Sequence, residues 1–171
     1  FKGLLTHMNS ASLVDDFLAR YSTAECASML IAGIKVKELK DKIKGEFVNN
    51  LEQEHYVITP SPNLYFMRDP AAIIQAGVIF SHMKFSGRQG ESKLLQTIFE
   101  NHPDFKNIFN PIYPAANLEI ETPTIEGGDV IVLSDKALAI GCSERTDEKA
   151  IELVAGQILK NSNVERVYQV E

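Results

Sequence analysis

Apolar positions recur along this chain with two different periods. From the start to about residue 52 the spacing is helical. Leu13, Val14, Phe17, Leu18 and Tyr21 follow Ser12, which suits a helix cap. Ser22-Thr23-Ala24-Glu25 has the spacing of a capping box, in which serine and glutamate satisfy each other's orphan N–H groups. Cys26, Met29, Leu30 and Gly33 then fall at i, i+3, i+4 and i+7, and Gly33 suits the exit of that helix. Lysines at 35, 37, 40, 42 and 44 are interleaved with acids, so a solvated helical face is the simpler reading and a partner patch the other. With no strand of its own, this region (1–52) reads as a helical insertion or separate lobe.

From residue 53 to 171 the texture changes. His55 to Thr59 is strand-like and is ended by Pro60 and Pro62. Ala72 to Phe80 is apolar nearly throughout, which predicts one strand buried on both faces. Leu94, Leu95, Ile98 and Phe99 place an apolar face on a helix over 91–101, and Leu118-Glu119-Ile120 reads as a short strand. Asp129 to Leu133 and Ala137 to Gly141 are strands joined by a Ser134-Asp135-Lys136 turn. A helix starts at Thr146-Asp147-Glu148, with Ile151, Val154, Ala155 and Ile158 on its apolar face, and a strand at 164–170 follows. A strand, strand, helix, strand unit thus occurs about twice. The expectation is a repeated α/β architecture rather than one doubly wound sheet.

Composition narrows the function classes. A chain of 171 residues, 44% hydrophobic, is long enough for an ordinary compact core. The net charge of −6 argues against nucleic acid as the main partner. No apolar run is long enough to predict a membrane span. Cys26 and Cys142 are too few and too far apart for a disulfide framework, so free thiols and a cytoplasmic setting are expected. His7, His55, His82 and His102 lack metal-ligand spacing, and no G-x-x-x-x-G-K-S/T loop is present; no metal or cofactor is expected. The chain opens on Phe1 and closes on a strand, and is expected to be an internal segment of a longer one.

Four segments carry candidate chemistry. Pro62 to Pro70 and Ile125 to Asp129 each put a carboxylate beside chain-fixing or backbone-permissive residues. Two such acids, Asp69 and Glu126, suit a guanidinium, whose planar fork of donors matches carboxylates. Acids beside Gly and Pro are also common in plain turns. Gly141 to Thr146 sets Arg145 between a strand end and a helix start, where it can bind an anion or make a surface ion pair. His82 to Arg88 is a basic and aromatic loop that suits a carboxylate or phosphate.

Taken in order, these segments resemble the arginine deiminases, whose motifs run P-N-x-x-F-T-R-D-P, a basic loop with H-M, E-G-G-D and G-x-S-x-R-T. The stretch Met29 to Ile34 resembles the family's helical insertion. The resemblance implies a pentein α/β-propeller, of which this chain supplies the insertion and about two ββαβ units. It implies hydrolysis of L-arginine to L-citrulline and ammonia by a homo-oligomer. Asp69 and Glu126 would act on the guanidinium, and Arg88 and Arg145 on the α-carboxylate. Asn63 and Phe66 would line the pocket, with Asp129 in support. The family's catalytic cysteine and histidine lie beyond this stretch, so the chain alone is expected to be inactive. Met67 stands where the family usually has threonine, Gln75-Ala76-Gly77 replaces a G-N-G, and Gln89-Gly90 departs from the basic run after Arg88. Dimethylarginine hydrolases, amidinotransferases and non-catalytic arginine-binding or regulatory relatives share parts of the pattern.

Overall fold

The computed structural model describes residues 19–40, 54–75, 77–113 and 122–171. The helix capped by Ser12, the lysines at 42 and 44, and the strand at Leu118 to Ile120 lie outside these residues. The chain divides into two compact units, after Pro62.

The first unit holds α1 (Thr23–Ala32), β1 (Ile34–Lys35), α2 (Val36–Lys40) and β2 (Tyr56–Ile58). The capping box forms: Glu25 N donates to Ser22 Oγ at 3.3 Å, and Ser22 N donates to Glu25 Oε2 at 2.8 Å. Gly33 ends α1 at φ +78, and a Cβ there would stand 2.7 Å from the Ile58 carbonyl oxygen. Only glycine tolerates both conditions. The region is not wholly helical. Ile34–Lys35 pairs antiparallel with Tyr56–Ile58, which ties β2 to this unit. That pairing explains why the division falls after Pro62 while the texture of the sequence changes near residue 52.

The second unit repeats one topology. β3 (Ala71–Ile74) and β4 (Gly77–Phe80) form an antiparallel hairpin, α3 (Gln89–Asn101) follows, and β5 (Asn110–Tyr113) returns parallel to β4. In the second copy, β6 (Val130–Ser134) and β7 (Ala137–Gly141) form the hairpin. α4 (Glu148–Asn161) follows, and β8 (Arg166–Val170) returns parallel to β7. Both sheets are open and three-stranded, with the second strand in the centre. The run read as one strand over 72–80 is therefore two strands. They join through a tight turn in which Gln75 takes φ +41.

The buried residues of both copies merge into one core. Ile79, Ile125, Val130, Leu138 and Ile140 pack against Val154 and Ile158 of α4, all of them buried. A second cluster joins Ala71, Val78 and Phe80 to Leu95, Phe99 and Phe109. Phe80 meets Phe99 edge-on at 5.7 Å between ring centroids. Complete burial of one such ring contributes roughly 1.5–3 kcal/mol. All four residues of β4 are buried, as an apolar central strand requires.

Candidate functional site

The site forms where the two repeats meet, at the entrance to each hairpin. The segment before β3 is a series of turns: Phe66 N donates to the Asn63 carbonyl at 2.9 Å, and Asp69 N to the Phe66 carbonyl at 3.3 Å. These turns bring Asn63, Phe66 and Asp69 onto one short stretch ahead of the strand. Phe66 is 54% exposed, with Tyr65 edge-on at 5.5 Å.

The segment before β6 is a 3-10 turn, Gly127–Asp129, with Glu126 immediately ahead of it. Main chain joins it to the first segment, since Gly127 N donates to the Asp69 carbonyl at 2.9 Å. Ser81 sits between them, donating to that carbonyl at 2.5 Å and accepting from Gly127 N at 3.0 Å. Arg68 also donates to the Val130 carbonyl.

Each of the two acids already holds an arginine. Arg88 Nη1 donates to Asp69 Oδ2 at 2.9 Å. Arg145 Nη1 donates to Glu126 Oε2 at 3.1 Å, while Glu126 Oε1 accepts from Lys84 N at 3.2 Å. Arg145 also lies over the Phe85 ring, 4.5 Å from its centroid, an electrostatically favourable stack. Glu126 is buried, whereas the Arg145 side chain is 39% exposed.

A third acid, Glu91, was not legible as a site residue. It sits in the first turn of α3, fully buried, and accepts from Arg88 Nε at 3.0 Å and Nη2 at 2.8 Å. Hydrogen bonding to Glu91, and then to Asp69, raises the Arg88 pKa above the usual arginine range although burial opposes it. The face of α3 turned inward is therefore mixed, polar at Glu91, Ser92 and Gln96 and apolar at Leu95 and Phe99. Leu95 and Phe99 pack against the core as expected and Ile98 is exposed, while Glu91, Ser92 and Gln96 are the buried residues of this helix. The spacing of Arg88 and Glu91, three apart at a helix start, is the one signal that sequence offered.

Asp129 organises the other side. Its Oδ2 accepts from Ser143 Oγ at 2.7 Å and Thr146 Oγ1 at 2.6 Å. Thr146, fully buried, in turn accepts from Glu126 N at 3.1 Å. This network fixes the loop after β7 against the E-G-G-D segment and so sets Arg145 beside Glu126. Cys142, partly buried, packs against the core next to this loop.

An uncharged crevice of about 230 Å³ lies elsewhere, lined by Gln75, Asn110, Gln157 and Asn161 among others. None of the acids or arginines described above lines it, so this crevice is separate from the charged cluster. Among the described residues no cluster of histidine, cysteine and acids is arranged to hold a metal, and no helix is long and apolar enough to cross a membrane.

Comparison with known proteins gives the family. The family model described as arginine deiminase matches residues 4–171. The chain belongs to the arginine deiminase family. An arginine deiminase of Listeria monocytogenes serotype 4a is 36% identical over 165 residues, covering 95% of this chain and 39% of that protein. One from Levilactobacillus brevis is 36% identical over 158 residues, 91% of this chain and 38% of that protein. The chain thus spans about two fifths of the length of these curated relatives. Among solved structures, a dimethylarginine dimethylaminohydrolase adduct with S-methyl-L-thiocitrulline aligns at TM-score 0.50 and 20% identity, over 64% of this chain and 39% of that one. The Pseudomonas aeruginosa dimethylarginine dimethylaminohydrolase complexed with citrulline aligns at TM-score 0.50 and 19% identity, over 65% and 40%. These likenesses show a shared α/β fold, and the sheets described are open rather than closed into a propeller.

Proposed function

We propose that this chain supplies the substrate-gripping part of an arginine deiminase, which hydrolyses L-arginine to L-citrulline and ammonia. The observation that carries the reading is the double acid–guanidinium pairing, Asp69 with Arg88 and Glu126 with Arg145, at the joined mouths of two hairpins. Two carboxylates placed to hold guanidinium groups belonging to the protein have the chemistry to hold the guanidinium of a ligand.

In this reading Asp69 and Glu126 hold the reacting group of L-arginine, and Glu126 assists proton transfer. Arg145, the more open of the two arginines, takes the α-carboxylate. The family resemblance gives the same anion to Arg88, which Asp69 and Glu91 hold in place. Asn63 and Phe66 border the aliphatic stem, and Asp129 holds the Arg145 loop in place.

The resemblance to the family supplies the chemical steps. A cysteine thiolate bonds to the guanidinium carbon, and one C–N bond breaks as ammonia leaves with a proton from a histidine. Water then adds to the amidino-thioether carbon, the C–S bond breaks, and citrulline departs. The carboxylates stabilise the cationic centre throughout, and held in place beforehand they need no reorganisation as charge develops. Neither Cys26 nor Cys142 has a histidine near it in sequence. We assign the thiolate and the histidine to residues outside these 171.

The reading is tested by incubating the intact protein, and separately this chain, with L-arginine. The intact protein is expected to release citrulline and ammonia in equal amounts, and the 171 residues alone neither. Binding of L-arginine without turnover by the intact protein would favour a non-catalytic arginine-binding relative instead.

A further inference from the structure

The cluster around Arg88 has an unbalanced charge. One guanidinium lies between two carboxylates, Asp69 and Glu91, so a single negative charge is left over. The three groups are not equally placed. Glu91 is fully buried, Arg88 nearly so, and the Asp69 side chain is 28% exposed. The surplus charge therefore resides where solvent and ligands reach it.

Glu91 grips Arg88 on two edges, at Nε and Nη2, whereas Asp69 takes only Nη1. A buried ion pair of this kind is a poor device for stability alone, because well-packed apolar side chains do as well or better. Its effect is to satisfy Arg88 from the interior. Asp69 is then attached to Arg88 through Oδ2 alone. Oδ1 lies beside Gly128, where a Cβ would stand 3.1 Å from it.

We infer that Glu91 is a positioning residue for cation recognition: by neutralising Arg88 it leaves Asp69 its charge and its second oxygen for the guanidinium of a ligand. The inference rests on the reading of this site as one for arginine-like cations. Without Glu91, Arg88 would turn its full charge on Asp69 and compete directly with that ligand. Because the effect runs through charge, it discriminates a cationic ligand from a neutral one of the same shape, which a packing defect does not.

The test is made in the intact protein with the isosteric change Glu91→Gln, comparing KM for L-arginine with the inhibition constant of neutral L-citrulline. The expected result is a rise in the arginine KM of about tenfold or more with the citrulline constant changed less than about twofold. Glu91→Asp, which keeps the charge, is expected to recover most of the loss. Equal weakening of both ligands, or no change in either, overturns the inference. A second measurement needs no variant and no turnover. Methylguanidinium titrated into the unmutated protein should shift the backbone amide resonance of Gly128, and methylurea should not. No shift with methylguanidinium overturns the inference even if Glu91→Gln fails to fold. A shift in a protein that makes no citrulline leaves the inference standing and removes the deiminase reading.

Discussion

Gly127 N donates to the carbonyl oxygen of Asp69 at 2.9 Å, so the segments carrying the two key acids are joined through their main chains. A main-chain joint fixes where each carboxylate begins, leaving only side-chain rotation to set its final position. The joint also explains the glycine. A Cβ at 127 would lie 2.3 Å from the Arg68 carbonyl oxygen and 2.9 Å from the backbone of Ala71.

Gly127→Ala should therefore force the two hairpin entrances apart. Neither neighbour is a flexible side chain, so the loss of stability is expected at about 1–3 kcal/mol or more by urea unfolding. Gly87→Ala is the control: a Cβ there meets nothing within 4 Å, and its effect should stay within about 0.5 kcal/mol. Equal effects of the two changes would contradict the close approach.

Thr146→Val keeps the shape of a fully buried side chain but removes the hydroxyl that donates to Asp129 and accepts from Glu126 N. A buried N–H left unsatisfied costs about 1–3 kcal/mol, and thermal unfolding should show that loss. Thr146→Ser should recover most of it. In the intact protein the arginine KM is expected to rise, since the loop that carries Arg145 loses its anchor.

In the first unit, Glu54 accepts hydrogen bonds from Lys35 at 2.8 Å and Lys37 at 2.7 Å, which pull its pKa down to about 2. The folded value lies below the ordinary 4.5, so the contribution of this group is present above that value and is lost as pH falls towards 2. The carboxyl of Glu54, followed by NMR, should titrate near pH 2, and Lys35→Met should move it upward. Because Glu54 and Lys37 are exposed and Lys35 only half-buried, high salt should weaken the effect.

The second repeat was readable because its signals are separate: short apolar strands at 130–134 and 137–141, a polar turn between them, and a clean apolar stripe at Ile151, Val154 and Ile158. The first repeat was harder. Ala71–Ile74 and Gly77–Phe80 are apolar, and their turn places Gln75 at φ +41 without glycine or asparagine to mark that position. β1 escaped because two residues carry no period. Asp69 and Glu126 stood out beside proline and glycine. Glu91 did not, because an acid in the first turn of a helix is ordinary on dipole grounds; only its burial against Arg88 distinguishes it.

The most direct test of the central claim is citrulline formation from L-arginine by the intact protein and by its Asp69→Asn variant. The account predicts citrulline from the unmutated protein and a fall in kcat/KM of about 100-fold or more in the variant, since a neutral amide cannot stabilise the cationic centre. No citrulline from the unmutated protein, or equal rates from the two, would contradict it.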